Sequence, residues 1–400
     1  MTDTGRGMIE FASEFMPALR AATGIVRETG RLAGRRVGIA LTLEPKTACL
    51  VEAVVSLGAD VAVFGSGHST KGDVAAALAE SGVKVFAEAG AAPDRVAELR
   101  DRFIDTRPEY LCDDGAGIVR RIHGERRDVL DELRGVAEET TSGVRPLRVM
   151  ESEGALMVPC VAVNDARTKV LFDNVYGTGQ SVVMAVLDAT NLQMSGKTVV
   201  VVGYGMVGRG IASVARGLGA RVTVSEIEPV QALVAMHDGM RVCPLSEAVA
   251  DADFVFTATG IGHSLTAHHV QQMKDGAVIA VGGAGPPEFD PGIGPGLVAG
   301  DEVRAKVRAL TTASGRTVFV VADGYCANTS AGEGNPIEIM DLSLALQLRA
   351  LDFLAAGGLS PGVHLLPRHI EDEVALSQLE ANGIRIDQPT QDQIRAAGSW

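Results

Sequence analysis

Segments with the apolar pattern of a buried strand alternate with helical segments along most of this chain. In the first third, helical patterns at 46–58 and 73–82 separate strand patterns at 35–43, 60–65, 83–89 and 109–115. This succession predicts a parallel sheet with right-handed crossovers. The last of these strands ends in Asp113 and Asp114, at the carboxyl edge where open α/β sheets bind ligands.

A second series begins at residue 196 with "GKTVVVVGYGMVGRGIASVARGLGARVTVSEIEP". Strand patterns follow at 254–260, 277–283 and 317–324. The amphipathic helix predicted over 337–357 is long enough to cross back to the first series, and a further helical pattern covers 370–386. We therefore predict an α/β fold with two doubly wound parallel-sheet (Rossmann-like) domains facing a cleft, with a C-terminal helical segment.

The composition argues against several classes of protein. Apolar residues make up 46% of the chain and aromatic residues only 4%, which suits parallel sheets covered by small-residue helices. A formal net charge of −14 argues against a nucleic-acid partner. No apolar run approaches the roughly 18–20 residues of a membrane span. The five scattered cysteines fit reduced thiols, so we expect a cytoplasmic protein without a metal.

The stretch "VVVVGYGMVGRG" places Gly203, Gly205 and Gly208 directly after an apolar strand and at the start of a helix. The GxGxxG spacing lets the backbone turn tightly and approach a pyrophosphate at the helix N-terminus. Glu226 ends the next strand, where a carboxylate would bind a ribose 2′-hydroxyl and repel a 2′-phosphate. The pattern predicts a dinucleotide site that prefers NAD over NADP.

The segment "TKVLFDNVYG" sets Lys169, Asp173 and Asn174 among apolar residues, ahead of the glycine-rich turn. Burying a lysine or a carboxylate is costly unless the group is paired or has a function. A lysine beside a carboxylate in a dry cleft is a plausible tuned base. We interpret these residues as catalytic, and a structural ion pair between Lys169 and Asp173 is the alternative.

Long stretches of the chain resemble the S-adenosylhomocysteine hydrolase (adenosylhomocysteinase) family. They are "EETTSGV", "VPCVAVNDARTKVLFDNVYG", "GKTVVVVGYGMVGRG", "GARVTVSEIEP", "MKDGAVIAVGG" and "GVHLLPRHIEDEVA". The resemblance implies NAD held in a cleft between a substrate domain and a cofactor domain. We predict a substrate-binding domain over 1–166 that resumes at 337–384, an NAD-binding Rossmann domain over 180–330, and a short tail over 385–400.

The resemblance also implies roles for individual residues. The family oxidises the 3′-hydroxyl of a nucleoside, which acidifies the C4′ proton and lets the 5′ substituent leave. Lys169 and Asp173 would handle the two protons, Asn174 would orient them, and Glu139 and Thr140 would bind the sugar hydroxyls. The implied cofactor contacts are Thr140, Thr141, Ser142, Asn174, Gly203, Gly205, Met206, Val207, Gly208, Glu226, Thr259 and Asn328.

The chain departs from the family pattern on the leaving-group side of the site. Where the family has "LHMTxET", this chain has "LTLEPKT", so that Thr42 replaces a histidine while Glu44 and Lys46 replace two adenine contacts. Ala284 and Asn335 stand in place of two further histidines. The last residues, "IRAAGSW", differ from the family's "KPDHYRY" tail. The predicted substrate contacts are Thr42, Lys46, Thr140, Asn335 and Met340.

These departures, beside an intact redox half, favour a redox-neutral lyase over a hydrolase. We predict an NAD-dependent dehydratase that removes water from a nucleoside to leave an exocyclic alkene, resembling nucleoside-antibiotic dehydratases such as the angustmycin A-forming enzyme. Glu44 or Asp114 would be the leaving-group acid, and His263 and His364 are the best catalytic candidates among the histidines.

Two alternatives remain open. One is hydrolysis of S-adenosyl-L-homocysteine to adenosine and homocysteine, and the other is a non-catalytic NAD-binding paralogue. In each case we expect a small nucleoside ligand, no nucleic acid, no membrane, and a homo-oligomer (dimer or tetramer).

Overall fold

The fold contains two β-sheets. The computed structural model describes residues 2–283, 287–289 and 294–398. Six strands of the first sheet come first in the chain, and they are β1 Arg36–Ala40, β2 Asp60–Phe64, β3 Lys84–Phe86, β4 Tyr110–Asp113, β5 Gly135–Glu138 and β6 Pro159–Ala162. Those of the second sheet are β7 Thr198–Val202, β8 Arg221–Ser225, β9 Arg241–Val242, β10 Phe254–Thr257, β11 Val278–Val281, β12 Val298–Arg304, β13 Val307–Thr311 and β14 Thr317–Val321. The chain then returns to the first sheet with β15 Gly362–His364.

Helices cover the two sheets and connect their strands. In chain order they are α1 Thr2–Glu14, α2 Pro17–Thr29, α3 Pro45–Ser56, α4 Gly72–Glu80, α5 Pro93–Ile104, α6 Gly117–Gly124, α7 Thr141–Ser152, α8 Arg167–Val170, α9 Gly179–Thr190, α10 Met206–Gly217, α11 Pro229–His237, α12 Leu245–Ala248, α13 Ala267–Val270, α14 Ala327–Ser330, α15 Ile337–Ala355, α16 Arg368–Ala381 and α17 Gln391–Ala397. None of the described helices has the length and apolar character that a membrane crossing requires.

The strand order of each sheet creates a crevice at its carboxyl edge. In the first sheet the order is β15-β6-β5-β4-β1-β2-β3, so the winding reverses between β1 and β4. In the second the order is β12-β13-β14-β11-β10-β7-β8-β9, and the reversal lies between β7 and β10. Ligands of open α/β sheets bind at such switch points. The loops after β1 and β4, and those after β7 and β10, are therefore the ones that can form a site.

Apolar strand residues form the cores on which these loops rest. Every residue of β10 and β11 is buried, as are four of the five residues of β7. Strands buried on both faces read as continuous Val and Ile runs, and this explains why the sequence pattern located them.

Two glycines bring the helix of the glycine-rich turn close to the segment that carries Asp173. A Cβ on Gly179 would lie 2.6 Å from the backbone of Gly210, and a Cβ on Gly210 would lie 2.1 Å from the carbonyl oxygen of Val175. Helices α9 and α10 therefore approach closely, which brings "DNVYG" against the helix that follows the GxGxxG turn.

The structure confirms the predicted fold class, including the helix that crosses back, since α15 packs against α2 and α3. The sequence prediction missed α1 and α2, the short strands β5, β6 and β15, and the antiparallel pairing of β12, β13 and β14. The strand predicted over 83–89 shortens to β3. Ala284 lies outside the described residues, and the predicted domain boundaries stay a prediction.

Candidate active site

The Lys169 ammonium lies at the centre of a buried polar cluster. Its Nζ is 3.1 Å from Glu139 Oε1, 3.4 Å from Asp173 Oδ2 and 3.2 Å from Asn174 Oδ1. Lys169 is 2% exposed and Asp173 3%. Three acceptor oxygens therefore surround an ammonium group that has three protons to donate. The structure thus brings together four of the residues that the sequence indicated as catalytic.

An irregular helical segment aims these side chains at the cleft. Lys169 belongs to the short helix α8, and the next turn, Asp173–Thr178, is a π-helix. Its wider turn is visible in the hydrogen bond from the amide of Gly177 to the carbonyl of Phe172. Short π-helical segments are rare and frequently occur at functional sites. This one lets Lys169 and Asp173 share a face while Asn174 also reaches the lysine.

Hydrogen bonds from a distant segment hold the Asp173 carboxylate. Asn335 Nδ2 donates to Asp173 Oδ1 at 2.5 Å, and Ser343 Oγ donates to Oδ2 at 2.7 Å. Asn335 also donates to Thr178 Oγ1, and it accepts from Ser181. The sequence predicted Asn335 as a substrate contact, but these bonds direct its side chain to protein groups.

Charge and burial set the protonation of the cluster. Burial alone would lower the pKa of Lys169, but the negative charges of Asp173 and Glu139 outweigh it and raise that pKa. Burial raises the pKa of Glu139 to about 8, although the Lys169 charge opposes the rise. Lys169 therefore rests as an ammonium ion and not as a lysine tuned to low pKa, and the Glu139 carboxyl ionises at a higher pH than that of an ordinary glutamate.

Asp114 completes the acidic side of the site. It follows β4 and lines the same cleft as Glu139. Its side chain is accessible from the cleft, yet the surrounding protein walls remove enough water to raise its pKa, against the attraction of Lys169. A carboxyl group that holds its proton more readily than an ordinary aspartate is suited to act as a general acid.

Two buried carboxylates brace the loops that present these acids. Glu138 accepts from the amides of Gly115, Ala116 and Thr140. Asp113 accepts from the amides at the start of α6. Because backbone donors hold both carboxylates, the loops carrying Asp114 and Glu139 have little freedom.

Glu44 and Lys46 form a second buried ion pair at the end of β1. Lys46 Nζ lies 2.7 Å from Glu44 Oε2 and donates to the carbonyl of Glu333 at 2.7 Å. Glu44 lines the cleft beside Thr42, and burial raises its pKa despite the nearby Lys46 charge. A Cβ on Gly334 would lie 2.5 Å from Glu44 Oε2, so the chain after Glu333 packs directly on the pair. Lys46 thus connects β1 to this segment, and Glu44 is the charged group that faces the cleft.

The glycine-rich turn has the form that a pyrophosphate requires. Gly203 has φ +91°, and a Cβ on Gly208 would collide with the Gly203 carbonyl oxygen at 2.0 Å. A Cβ on Gly205 would meet nothing within 4 Å, so the space beside the helix N-terminus is open. Glu226 accepts from the amides of Tyr204 and Ile227, which fixes its carboxylate at the end of β8. These residues fit the adenosine and pyrophosphate portions of NAD.

The remaining predicted cofactor and substrate residues converge on one cleft of about 910 Å³. It is lined by Thr140, Thr141, Ser142, Asn174, Gly205, Met206, Val207, Thr259 and Asn328, and also by Thr42, Asn335 and Met340. Glu288, buried, accepts from the amides of Thr259 and Gly260 and so fixes the loop after β10. The cleft therefore joins the loops of both switch points.

His68 was missed by the sequence reasoning, which preferred His263 and His364. Its ring stacks on Tyr325 with centroids 4.5 Å apart, and both rings line the cleft. His263 and His364 do not line it, and His364 instead contacts the carbonyl of Ser360. Only a prediction of which loops reach the switch point could have selected His68.

A dinucleotide turn facing a buried lysine–carboxylate cluster defines an NAD-dependent enzyme with a two-sheet cleft. Residues 174–334 match the family model "S-adenosyl-L-homocysteine hydrolase, NAD binding domain", and residues 1–129 match "S-adenosyl-L-homocysteine hydrolase". The chain therefore belongs to the S-adenosyl-L-homocysteine hydrolase family, and its cofactor is NAD.

Curated relatives match along nearly their whole length. The chain is 43% identical to the adenosylhomocysteinase of Thermotoga maritima, over 100% of both chains. It is 42% identical to the S-inosyl-L-homocysteine hydrolase of Methanopyrus kandleri, over 99% of this chain and 95% of that protein. It is 41% identical to the S-inosyl-L-homocysteine hydrolase of Methanosarcina mazei, over 100% of this chain and 98% of that protein.

These relatives correct the predicted activity. The dehydratase interpretation is wrong, because the proteins that match the whole chain are hydrolases and nothing in the matches supports a nucleoside-antibiotic dehydratase. That interpretation gave great weight to histidines replaced at Thr42 and Asn335. In the structure Asn335 donates hydrogen bonds to Asp173 and Thr178, so this replacement contacts the buried cluster. The sequence pattern did not show these contacts.

Proposed function

We propose that the chain hydrolyses the thioether of an S-nucleosyl-L-homocysteine, releasing L-homocysteine and a nucleoside. The full-length identity to hydrolases of this class is the observation that carries the proposal. The buried cluster around Lys169 supports it, because the chemistry needs a proton-transfer group in a site that also contacts NAD.

NAD, when bound, supplies a reversible hydride acceptor for a sugar carbon. The residues of the chain manage the protons. Lys169 Nζ lies between Glu139 and Asp173, so a proton taken from the sugar hydroxyl can pass through Lys169 to an ionised Glu139. Lys169 serves as a relay because its own protons already have acceptors, and its raised pKa keeps it charged between transfers.

The same groups serve the carbon chemistry. Once the 3′ carbon is a ketone, the C4′–H bond is acidic. The Asp173 carboxylate beside Lys169 takes that proton, and the electron pair of the bond forms the C4′–C5′ double bond while the C5′–S bond breaks toward sulfur. A cysteine-type thiol has a pKa of roughly 8.5, so the thiolate is a good leaving group that needs only modest acid assistance. We assign that assistance to Asp114, whose carboxyl holds its proton more readily than an ordinary aspartate. Water then adds its hydroxyl to C5′ while Asp173 returns its proton to C4′, and the remaining proton of the water restores Asp114. Return of the hydride and of the hydroxyl proton to the 3′ position restores the sugar of the released nucleoside.

The base of the substrate is a purine in this proposal. The relatives act, by their names, on S-adenosyl and S-inosyl compounds, which differ at the purine 6-position. Glu44 places a carboxylate at the cleft. Both adenine and hypoxanthine carry an N–H group from which this carboxylate can accept a hydrogen bond. Both substrates therefore belong in the test.

The test is release of homocysteine thiol from S-adenosyl- and S-inosyl-L-homocysteine by the NAD-loaded protein, followed with a thiol reagent. We expect turnover of at least one substrate at a typical enzymatic rate, on the order of 1–10³ s⁻¹. Lys84 is a matched control for Lys169, since it pairs with Asp60 on the surface with its side chain 52% exposed. Lys169→Met should abolish thiol release and Lys84→Met should leave it unchanged. Absence of release from both substrates by the unaltered protein would refute the proposal.

The assembly state stays a prediction. We propose a homo-oligomer, dimer or tetramer, from the family resemblance alone. Mass measurement by light scattering distinguishes these from a monomer of 41.6 kDa.

A further inference from the structure

The side chain of Asn335 has an unusual number of partners. Its Nδ2 donates to Asp173 Oδ1 at 2.5 Å and to Thr178 Oγ1 at 3.1 Å. Its Oδ1 accepts from Ser181 Oγ at 2.8 Å and from Asn328 Nδ2 at 2.9 Å. An amide has two N–H donors and two oxygen lone pairs, so the capacity of this side chain is fully used within the protein.

These partners fix which end of the amide faces Asp173. The Ser181 hydroxyl and the Asn328 amide both donate to the oxygen, so the nitrogen is left to face the carboxylate. A carboxylate can only accept, and it gains a charge-assisted hydrogen bond in this arrangement. Gly177 leaves the space that this side chain occupies, because a Cβ on Gly177 would lie 3.0 Å from Asn335 Nδ2 and 2.9 Å from Ile339.

We propose that Asn335 is a positioning residue that holds the Asp173 carboxylate directed at Lys169. The two oxygens of the Asp173 carboxylate have different partners, which fits this role. Asn335 engages Oδ1, whereas Oδ2 receives Ser343 and faces Lys169 Nζ at 3.4 Å. Without the amide, the negative charge on Asp173 loses one of its two side-chain hydrogen-bond donors.

The consequence for Lys169 follows from the charges around it. The carboxylates near its ammonium are Asp173, Glu139 and Asp114, and the first two of these carry most of the effect that raises the lysine pKa. If loss of the Asn335 bond lets the Asp173 carboxylate turn away from Nζ, its attraction for the ammonium weakens and the pKa of Lys169 falls.

The first test needs no substrate. Brief acetylation of the NAD-loaded protein at a series of pH values, with mass spectrometry of the Lys169 peptide, reports its neutral amine, because only that form reacts. In Asn335→Leu, Lys169 should become reactive at a lower pH than in the unaltered protein, because the Asp173 carboxylate is no longer held against its ammonium. Exposed Lys84 in the same samples is the internal control and should not change. Identical pH dependence of Lys169 in both proteins would overturn the proposal.

A second variant guards against misfolding. Asn335→Ser is smaller and polar and loses the reach to Asp173, so it should shift Lys169 in the same direction. Asn382→Ser, which removes an exposed amide that donates to the carbonyl of Gln378, is the control for the substitution itself. If neither Asn335 variant moves the pH dependence of Lys169 while both retain the melting temperature of the control, the amide has no such role.

The kinetic test rests on the proposed function. If thiol release is observed, Asn335→Leu should lower kcat by about 10–100-fold and change KM by less than about twofold, as expected of a positioning residue and not of a substrate contact. A rise in KM at constant kcat would overturn the proposal. Because acetylation is read without turnover, a shifted Lys169 in a protein that releases no thiol would reject the proposed function and retain the role of Asn335.

Discussion

Lys169 Nζ lies 3.1 Å from Glu139 Oε1, inside a site where the lysine pKa is raised and that of Glu139 is about 8. The pair can exchange a proton only when Glu139 is ionised. We therefore predict that kcat/KM for thiol release rises with pH through about 8, since the raised Glu139 pKa delays ionisation of its carboxyl. Glu139→Gln should lower the rate by about 10²–10⁴-fold and remove that rise.

The control for this prediction is Glu88→Gln, which removes a carboxylate that pairs with Arg95 on the surface. Its pH profile should match that of the unaltered protein. A Glu139→Gln variant with the same rise through pH 8 would show that another group is responsible.

Breaking the buried Glu44–Lys46 pair should destabilise the protein. Lys46→Met leaves the Glu44 carboxylate buried without its cation, and loss of one partner of a buried pair costs about 3–5 kcal/mol. Replacing both residues, as Glu44→Gln with Lys46→Met, should recover much of the loss, because no uncompensated charge remains. Urea denaturation of the two variants measures the difference. Equal instability of the single and double variants would show that loss of the ion pair is not what destabilises the protein.

Glu226 should determine the preference for NAD over NADP. Its carboxylate is held at the end of β8 by the amides of Tyr204 and Ile227. Glu226→Ser should weaken NAD binding by about tenfold and improve NADP binding, because the ribose contact and the charge repulsion are both lost. Calorimetric titration of the two dinucleotides tests this, with the exposed Glu247→Ser as control. An unchanged ratio of affinities would place the selectivity elsewhere.

Asp341 should make stability depend on pH. It is fully buried, accepts from the amides of Ala18 and Leu19, and burial raises its pKa to about 6. A carboxyl whose pKa is raised on folding contributes stability that is complete below about pH 4 and is lost as pH rises through 6. The resulting decline is about 3 kcal/mol at 1.36 kcal/mol per pH unit.

The comparison of denaturation at pH 4 and pH 7 isolates this contribution. Asp341→Asn cannot ionise, so its free energy of unfolding should fall less between the two pH values than that of the unaltered protein. Asp392→Asn, on the exposed α17, should show the unaltered decline. Equal declines in all three proteins would assign the pH dependence to other carboxyl groups.

Periodicity predicted the central strands because they are buried on both faces. The apolar runs of β7, β10 and β11 carry that signal directly. The four-residue strands β5 and β6 are too short for a pattern, and "GVAE" and "PCVA" have no alternation that distinguishes them from a loop. Their place in the sheet comes from pairing with β4 and β15.

The sequence indicated several residues of the candidate site, but not the contacts among them. The resemblance located Lys169, Asp173 and Glu139, and the structure brings them together. The hydrogen bond from Asn335 to Asp173 spans 162 positions, and no local pattern specifies such a contact. For the same reason the sequence interpretation assigned Asn335 to the substrate and gave Lys169 the low pKa of a tuned base.

The fate of solvent oxygen tests the proposed hydrolysis most directly. The NAD-loaded protein is incubated with S-adenosyl- or S-inosyl-L-homocysteine in H₂¹⁸O, and the masses of the products are measured by mass spectrometry. We predict one free homocysteine for each nucleoside, with the nucleoside carrying a single ¹⁸O at its 5′-hydroxyl, since water forms that C–O bond. Homocysteine released without ¹⁸O in the nucleoside, or a substrate left intact in both incubations, would contradict the account.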